Sequence, residues 1–182
     1  MFEEFNGIPA HALLVHAAVV FLPLQVLAGL AYGLVPMFRR SIAWFVLGSA
    51  VVAPGAAFMA KLSGEALRER FIRNGVSDPG VLANIQRHND FGNLALYSSL
   101  GLGVVMILLV LLNRARAGQA GGSDGAGGSD DGGPGGLARL GGTGSTVVTV
   151  ILTVALLGAA GATGYYVFQT GDLGAKMAWT GK

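Results

Sequence analysis

The chain has 182 residues, of which 52% are hydrophobic and 12% charged, and its formal net charge is +2. Soluble domains carry roughly 25% charged residues, so this composition excludes an ordinary soluble enzyme and a nucleic-acid-binding domain. The sequence has no cysteine, which excludes a disulfide scaffold, iron–sulfur ligation and thiol catalysis.

Four long stretches contain no Asp, Glu, Lys or Arg: residues 10–34, 42–60, 91–112 and 147–168. About 20 apolar residues, each rising about 1.5 Å along a helix, cross the roughly 30 Å hydrocarbon core of a bilayer. We therefore predict an all-α fold, an integral membrane bundle of four transmembrane helices whose first partner is the lipid bilayer.

The segment 61–90, between the second and third spans, is expected to contain an interfacial helix. Its apolar residues alternate with charged ones at spacings that suit an amphipathic helix: Leu62, Ala66, Leu67 and Phe71. Asn74-Gly75 is expected to end this helix. Ser77-Asp78-Pro79 is expected to start the third helix before the membrane, with His88 and Gly92 on its packing stripe.

The loop 113–146 is rich in Gly, Ser and Asp, and residues 117–144 hold 13 of the 30 glycines. Such a composition buries too little apolar surface to offset the entropy of ordering, so we predict a flexible tether. The fourth transmembrane helix and a short tail are expected in residues 147–182.

Counting spans places both termini and the segment 61–90 on one membrane face. Arg39 and Arg40 follow the first span, and Arg114 and Arg116 follow the third. Basic residues favour the cytoplasmic side, so we expect a multi-pass protein of the bacterial cytoplasmic membrane with both termini on the outer face.

Small residues recur four positions apart in every span, which predicts close contact between helices. The pairs are Gly29 with Gly33, Ala53 with Ala57, Ser99 with Gly103, and Gly158 with Ala162. Gln25 and Asn93 are amides inside the spans, and each is expected to face another helix because an unpaired amide in hydrocarbon is costly.

The three histidines, His11, His16 and His88, all lie near the same membrane face by the span count. His16 follows His11 by five residues, which rotates it about 140° around the first helix. One of the two is therefore expected to pair with His88 across the bundle. We expect His16 to be that partner, because it lies within the span whereas His11 is close to the headgroups.

Three interpretations of the histidines stay open. His16 and His88 are candidate axial ligands of haem b, with His11 nearby and Gly92 leaving space beside the ring. A bare metal or proton-relay site would use His11, His16 and His88 together with Glu65. In the third interpretation the histidines hold no cofactor and only make structural hydrogen bonds.

Several motifs resemble one family of membrane proteins. They are Gly7-Ile-Pro-Ala-His-Ala-Leu-Leu-Val-His16, Ser63-Gly-Glu65 and Arg87-His-Asn-Asp-Phe-Gly92. Together they resemble the bacterial domain of unknown function 2231 family of small four-helix membrane proteins. In that family a His-Pro pair opens the first helix and a His is usual in the tail, whereas this chain has Ala12 and Asp172 there. Some members resemble domains fused to Rieske or cytochrome modules, so the resemblance implies a redox association.

These observations favour a non-catalytic membrane module, a haem or metal carrier of a membrane redox system. The alternative is a structural or assembly subunit of a membrane complex without a cofactor. A small transporter or channel comes third, because the sequence has no evident internal repeat. The expected protein partners are other subunits of a membrane complex or further copies of this chain.

Overall fold

A computed structural model of the chain describes residues 4–5, 8–121 and 143–180. Two short strands, β1 (Glu4–Phe5) and β2 (Ile8–Pro9), pair antiparallel ahead of the first helix. The α-helices are α1 (Ala10–Leu34), α2 (Arg39–Arg73), α3 (Pro79–Gly121) and α4 (Thr143–Thr180), with a 3-10 turn at Pro36–Phe38. All four are long and apolar enough to cross a membrane, which confirms the predicted all-α membrane bundle.

The helices form a ring in chain order. α1 packs mainly on α2, α3 packs mainly on α4, and the contacts of α2 with α3 and of α1 with α4 close the bundle. α1 and α3 have few direct contacts. They therefore lie diagonally opposite each other, and side chains that face inward from both helices meet at the bundle axis.

A stripe of residues spaced alternately three and four apart faces inward along each helix, the repeat typical of helices packed in left-handed bundles. On α1 this stripe consists of the buried residues Ala18, Leu22, Gln25, Gly29 and Tyr32. On α3 it includes the buried residues Ala95, Ser99, Leu102, Met106 and Leu109. Extended toward the start of each helix, the α1 stripe reaches His11 and the α3 stripe reaches His88.

The middle of the bundle is held by close contacts and one buried polar pair. Gln25 is fully buried, and its Nε2 donates to the Ser99 carbonyl (3.0 Å) while its Oε1 accepts from Ser99 Oγ (2.8 Å). This confirms that Gln25 faces another helix, as predicted from the sequence. A Cβ added at Gly29 would lie 3.3 Å from Met106 Sδ, whereas one added at Gly158 would meet no atom within 4 Å. The packing role expected of Gly158 was therefore wrong, because this residue faces outward.

Two arginines make side-chain contacts at the opposite end of the bundle. Arg39 donates from Nε to the Tyr32 carbonyl (3.1 Å) and from Nη2 to the Gly33 carbonyl (3.0 Å), so it caps the last turn of α1. Arg114 stacks over the exposed ring of Trp44, 5.1 Å from its centroid. Such pairs of an aromatic ring and a cation are typical of a membrane–water boundary.

The amphipathic helix expected in the segment 61–90 is the continuation of α2. α2 continues without a break to Arg73, and α3 starts at Pro79. The physical reason is that Ser63 and Ala60 are buried, so the inward stripe of α2 runs past the membrane span and keeps the helix on the bundle. The prediction that this helix ends at Asn74-Gly75 was right, since Gly75 turns the chain at φ +86°.

The start of α3 agrees with the predicted cap. Asp78 Oδ1 accepts hydrogen bonds from the backbone N–H groups of Gly80 (2.7 Å) and Val81 (3.0 Å). These bonds satisfy donors that the first turn of a helix leaves unpaired.

Both helices that border the long loop are longer than expected. α3 reaches Gly121 and α4 begins at Thr143, so part of the region 113–146 assigned to a loop is helical. Ala and Arg at positions 114–117 are good helix formers, which favours this continuation. α4 also includes residues 169–180 of the expected tail. The predicted tether falls mainly on residues 122–142, which lie outside the described residues.

Candidate functional site

Two histidines meet at the end of the bundle where α1 and α3 begin. The ring centroids of His11 and His88 lie 6.4 Å apart, and the ring planes are perpendicular, at 88°. Both side chains are half-buried. Because α1 and α3 are diagonal in the bundle, this pair lies near its axis, between all four helices.

The hydrogen bonds of His11 define its protonation state. Its Nδ1 lies 3.1 Å from the Ala60 carbonyl oxygen and 3.0 Å from Ser63 Oγ, while Ser63 Oγ donates to the same carbonyl (2.8 Å). A carbonyl only accepts, so Nδ1 of His11 carries the proton and donates it. In the neutral ring, Nε2 is then the nitrogen with a free lone pair.

Each histidine packs against a glycine of the following helix. A Cβ added at Gly64 of α2 would lie 3.1 Å from His11 Cε1, and one added at Gly174 of α4 would lie 3.1 Å from His88 Cε1. The two helical hairpins, α1 with α2 and α3 with α4, thus hold their histidines in the same way. A side chain at Gly64 or Gly174 would crowd the adjacent imidazole.

The structure does not bring His16 to this pair. His16 is exposed, and its Nδ1 is hydrogen-bonded to the Ala12 carbonyl of its own helix. His11, and not His16 as expected, is the residue next to His88. The reason is rotation, because the inward stripe of α1 passes through His11, and a residue five positions later lies on another side of the helix.

Glu65 lines the inner cavity with both histidines, but its carboxylate is paired with a lysine. Its Oε1 forms an ion pair with Lys61 Nζ at 3.1 Å, one turn earlier on α2. Within the part of the chain that the structure describes, no three side chains of His, Cys, Asp or Glu form a group able to hold a metal ion. The predicted set of His11, His16, His88 and Glu65 is therefore not assembled as one site.

Two cavities adjoin the histidine pair. The inner cavity, about 230 Å³, extends toward the middle of the bundle as far as Leu22 and Asn93. The outer cavity, about 580 Å³, extends toward the ends of the helices, where Arg68 and Phe71 line it. His11, His88, Gly64 and Gly174 line both cavities. The larger of the two has a volume typical of small-molecule sites.

Two buried polar atoms at the inner cavity lack a protein partner. His88 Nδ1 and Asn93 Oδ1 have no hydrogen-bond partner among the residues that the structure describes. Asn93 lies one turn and a half after His88 on α3 and lines the inner cavity. Gly92 lines it as well, and a Cβ added there would be 3.9 Å from Thr170 Cγ2, so this position has room. A buried polar atom without a partner calls for an explanation, such as a water, an ion or a ligand in the adjoining cavity.

A family model of predicted membrane proteins, DUF2231, matches residues 7–182. The chain belongs to this DUF2231 family. The match includes the histidine pair, both glycines and all four helices. Searches of curated proteins and of solved structures found no match.

This DUF2231 protein is thus a multi-pass membrane protein with a histidine pair at one end of its bundle. Sequence reasoning singled out His88 and Gly92, and it did not single out Gly174 and Arg68, which line the cavities, or the contact of Ser63 with His11. The sequence does contain a signal for His11. Counted back from Gln25, the residues Leu22, Ala18, Val15 and His11 follow at intervals of 3, 4, 3 and 4, which places them on one face of the helix. Following that stripe would have selected His11 in place of His16.

Proposed function

We propose that this protein binds haem b between His11 and His88 and serves as a haem-carrying module of a membrane redox system. The observation that carries the proposal is the 6.4 Å separation of the two rings from diagonally opposite helices.

This separation favours ligands on opposite sides of one metal ion. A metal–imidazole bond is about 2.0–2.1 Å and a ring nitrogen lies about 1.15 Å from its ring centroid, so two opposed imidazoles have centroids about 6.4 Å apart. Two imidazoles in a tetrahedral site would have centroids only about 5.2 Å apart. Opposed imidazoles are the arrangement of a haem iron with two axial histidines.

The hydrogen bonds of His11 support the same assignment. Its Nδ1 donates to the Ala60 carbonyl, which leaves the lone pair of Nε2 free for a metal. Histidine ligands of metals usually donate their other nitrogen to a carbonyl or carboxylate, and this bond orients the ring and raises its basicity. The bonds with Ala60 and Ser63 therefore orient His11 in the way that is usual for a histidine that ligates a metal.

The glycines around the pair give space for a planar ring. Gly64 and Gly174 adjoin the two imidazoles, and Gly92 lies one turn below His88. Both cavities reach the pair, one from each side along the bundle axis. A macrocycle perpendicular to the line between the imidazoles would extend into both of them.

The protein's own residues would hold and enclose the group without a catalytic step. When bound, haem supplies one-electron transfer. His11 and His88 would occupy both axial positions, so no open position is left for a small-molecule substrate. The apolar residues Val15, Leu22 and Val167 of the inner cavity would limit water near the ring. This arrangement favours electron transfer over oxygen chemistry.

A structural role without cofactor is the second candidate, and it has an observation of its own. The bonds from His11 to Ala60 and Ser63 tie the start of α1 to α2. A histidine can make such bonds solely to fasten two helices. In this case the module would act as an assembly subunit of a membrane complex.

An absorption spectrum of the detergent-purified full-length protein, before and after dithionite, tests the proposal. We expect a reduced-state α band in the parent protein and its loss in His11→Ala and His88→Ala. His16→Ala is the comparison variant: His16 lines the outer cavity, but it is exposed and its Nδ1 is bonded within its own helix, so this variant should keep the band. A colourless parent protein from haem-supplied cells would contradict the proposal and favour the structural role. A stoichiometric metal ion without haem, lost in His88→Ala, would assign a bare metal site instead.

A further inference from the structure

Arg68 of α2 lies at the same end of the bundle as the histidine pair, and its Nε is a further buried nitrogen without a partner among the described residues. Arg68 lines the outer cavity together with His11 and His88. A buried guanidinium nitrogen without a partner is costly, so the outer cavity favours an acceptor at this place.

The carboxylates near Arg68 are engaged elsewhere. Glu65 is paired with Lys61 at 3.1 Å, and Glu69 lies 4.0 Å from Arg73. Among the side chains that the structure describes, no carboxylate forms an ion pair with Arg68. The positive charge of Arg68 is therefore available to a ligand of the outer cavity.

The position of Arg68 along α2 indicates where an anionic group would lie. Arg68 follows Gly64 by four residues, which is about 6 Å further toward the end of the helix. Gly64 marks the level of the histidine pair, since it packs on His11. An anion at Arg68 would thus lie about one helical turn outward from the imidazoles, on the side that faces the aqueous phase.

From this arrangement we infer that Arg68 binds a carboxylate of the ligand that the histidines hold. The inference rests on the proposed function, in which that ligand is haem b, a macrocycle with two carboxylate side chains. The guanidinium offers a planar pair of donors that matches a carboxylate. Arg68 would orient the ring about the axis through His11 and His88, with its carboxylate edge in the outer cavity.

The test compares two ligands that differ only in charge. Detergent-purified, haem-free protein is titrated with haemin and with haemin dimethyl ester, in which both carboxylates are esterified, and binding is followed by the Soret absorbance. We expect Arg68→Gln to weaken haemin binding about tenfold, equivalent to about 1.4 kcal/mol. The dimethyl ester should bind parent and variant equally, within about twofold.

Two further variants make the result specific. Arg87→Gln is the matched control, since Arg87 is exposed beside His88 and lines neither cavity, and it should leave haemin binding unchanged. Arg68→Lys keeps the charge but not the planar fork, so its haemin affinity should lie between those of the parent and Arg68→Gln. Binding of the dimethyl ester also shows that each variant is folded.

Several outcomes would overturn the inference. Unchanged haemin affinity in Arg68→Gln would do so and leave the proposed function standing. An equal loss for haemin and its ester would assign Arg68 to packing. Unchanged haemin affinity with loss of co-purifying anionic phospholipid would assign Arg68 to a lipid headgroup. A parent protein that binds neither haemin nor the ester would overturn the proposed function together with this inference.

Discussion

Gly103 of α3 lies directly against Ala50 of α2, and a Cβ added at Gly103 would be 2.7 Å from the Ala50 carbonyl oxygen. Real Cβ atoms almost never come so close to a backbone oxygen. The absence of a side chain at Gly103 therefore sets how closely α2 and α3 approach in the middle of the bundle. The same contact brings the α3 stripe, and with it His88, toward the bundle axis.

Gly103→Ala should destabilise the bundle by about 1–3 kcal/mol, because α2 and α3 must move apart to admit the methyl group. Thermal unfolding in detergent measures the change. Gly101→Ala is the control, since a Cβ there meets no atom within 4 Å. The control should be neutral or slightly stabilised, because alanine is the better helix former. Equal melting temperatures for both variants would contradict the close approach.

The buried pair of Gln25 and Ser99 should behave as one unit. Ser99→Ala leaves Gln25 Oε1 without its donor and should cost about 1–2 kcal/mol. Gln25→Leu should also destabilise, because it leaves the Ser99 hydroxyl unpaired. The double variant should lose clearly less than the sum of the two single losses, as a double-mutant cycle of unfolding measures. Strict additivity would show that the two side chains are independent.

Ser63→Ala should weaken haem binding about tenfold, because Ser63 and the Ala60 carbonyl together orient His11. Haemin titration followed by Soret absorbance measures the change. Ser49→Ala removes the same kind of bond, from a buried serine of α2 to the carbonyl three residues earlier, far from the histidines. That control should bind haemin as the parent does. Equal affinities for Ser63→Ala and the parent would show that His11 needs no support from Ser63.

Single cysteines can show which helix ends lie on the same side of the membrane, since the parent chain has no cysteine. Cysteines at Ser77 and Ala178, both exposed, should react with an impermeant maleimide from the same side of the membrane. A cysteine at Met37, which is 78% exposed in the turn after α1, should react from the opposite side. Labelling of positions 37 and 77 from one side would contradict the four-span arrangement. The expected orientation places Met37 in the cytoplasm.

Local features of the sequence were sufficient for much of the fold. The four spans follow from the absence of charge over about 20 residues, because each charged side chain placed in hydrocarbon adds its own free-energy cost. The turn at Gly75 and the cap at Asp78 follow from the conformational freedom of glycine and the acceptor of aspartate. Each of these depends on a few neighbouring residues, so each could be predicted correctly.

The packing of the helices decides which two of the three histidines form the pair. His11 and His16 are chemically equal imidazoles, and the rotation of α1 that turns the Gln25 stripe inward decides that His11 meets His88. The continuation of α2 to Arg73 as one unbroken helix also depends on packing, since Ser63 is buried against the bundle. Rotation and burial are properties of four packed helices together, because each inward stripe is chosen by the close approach of the others.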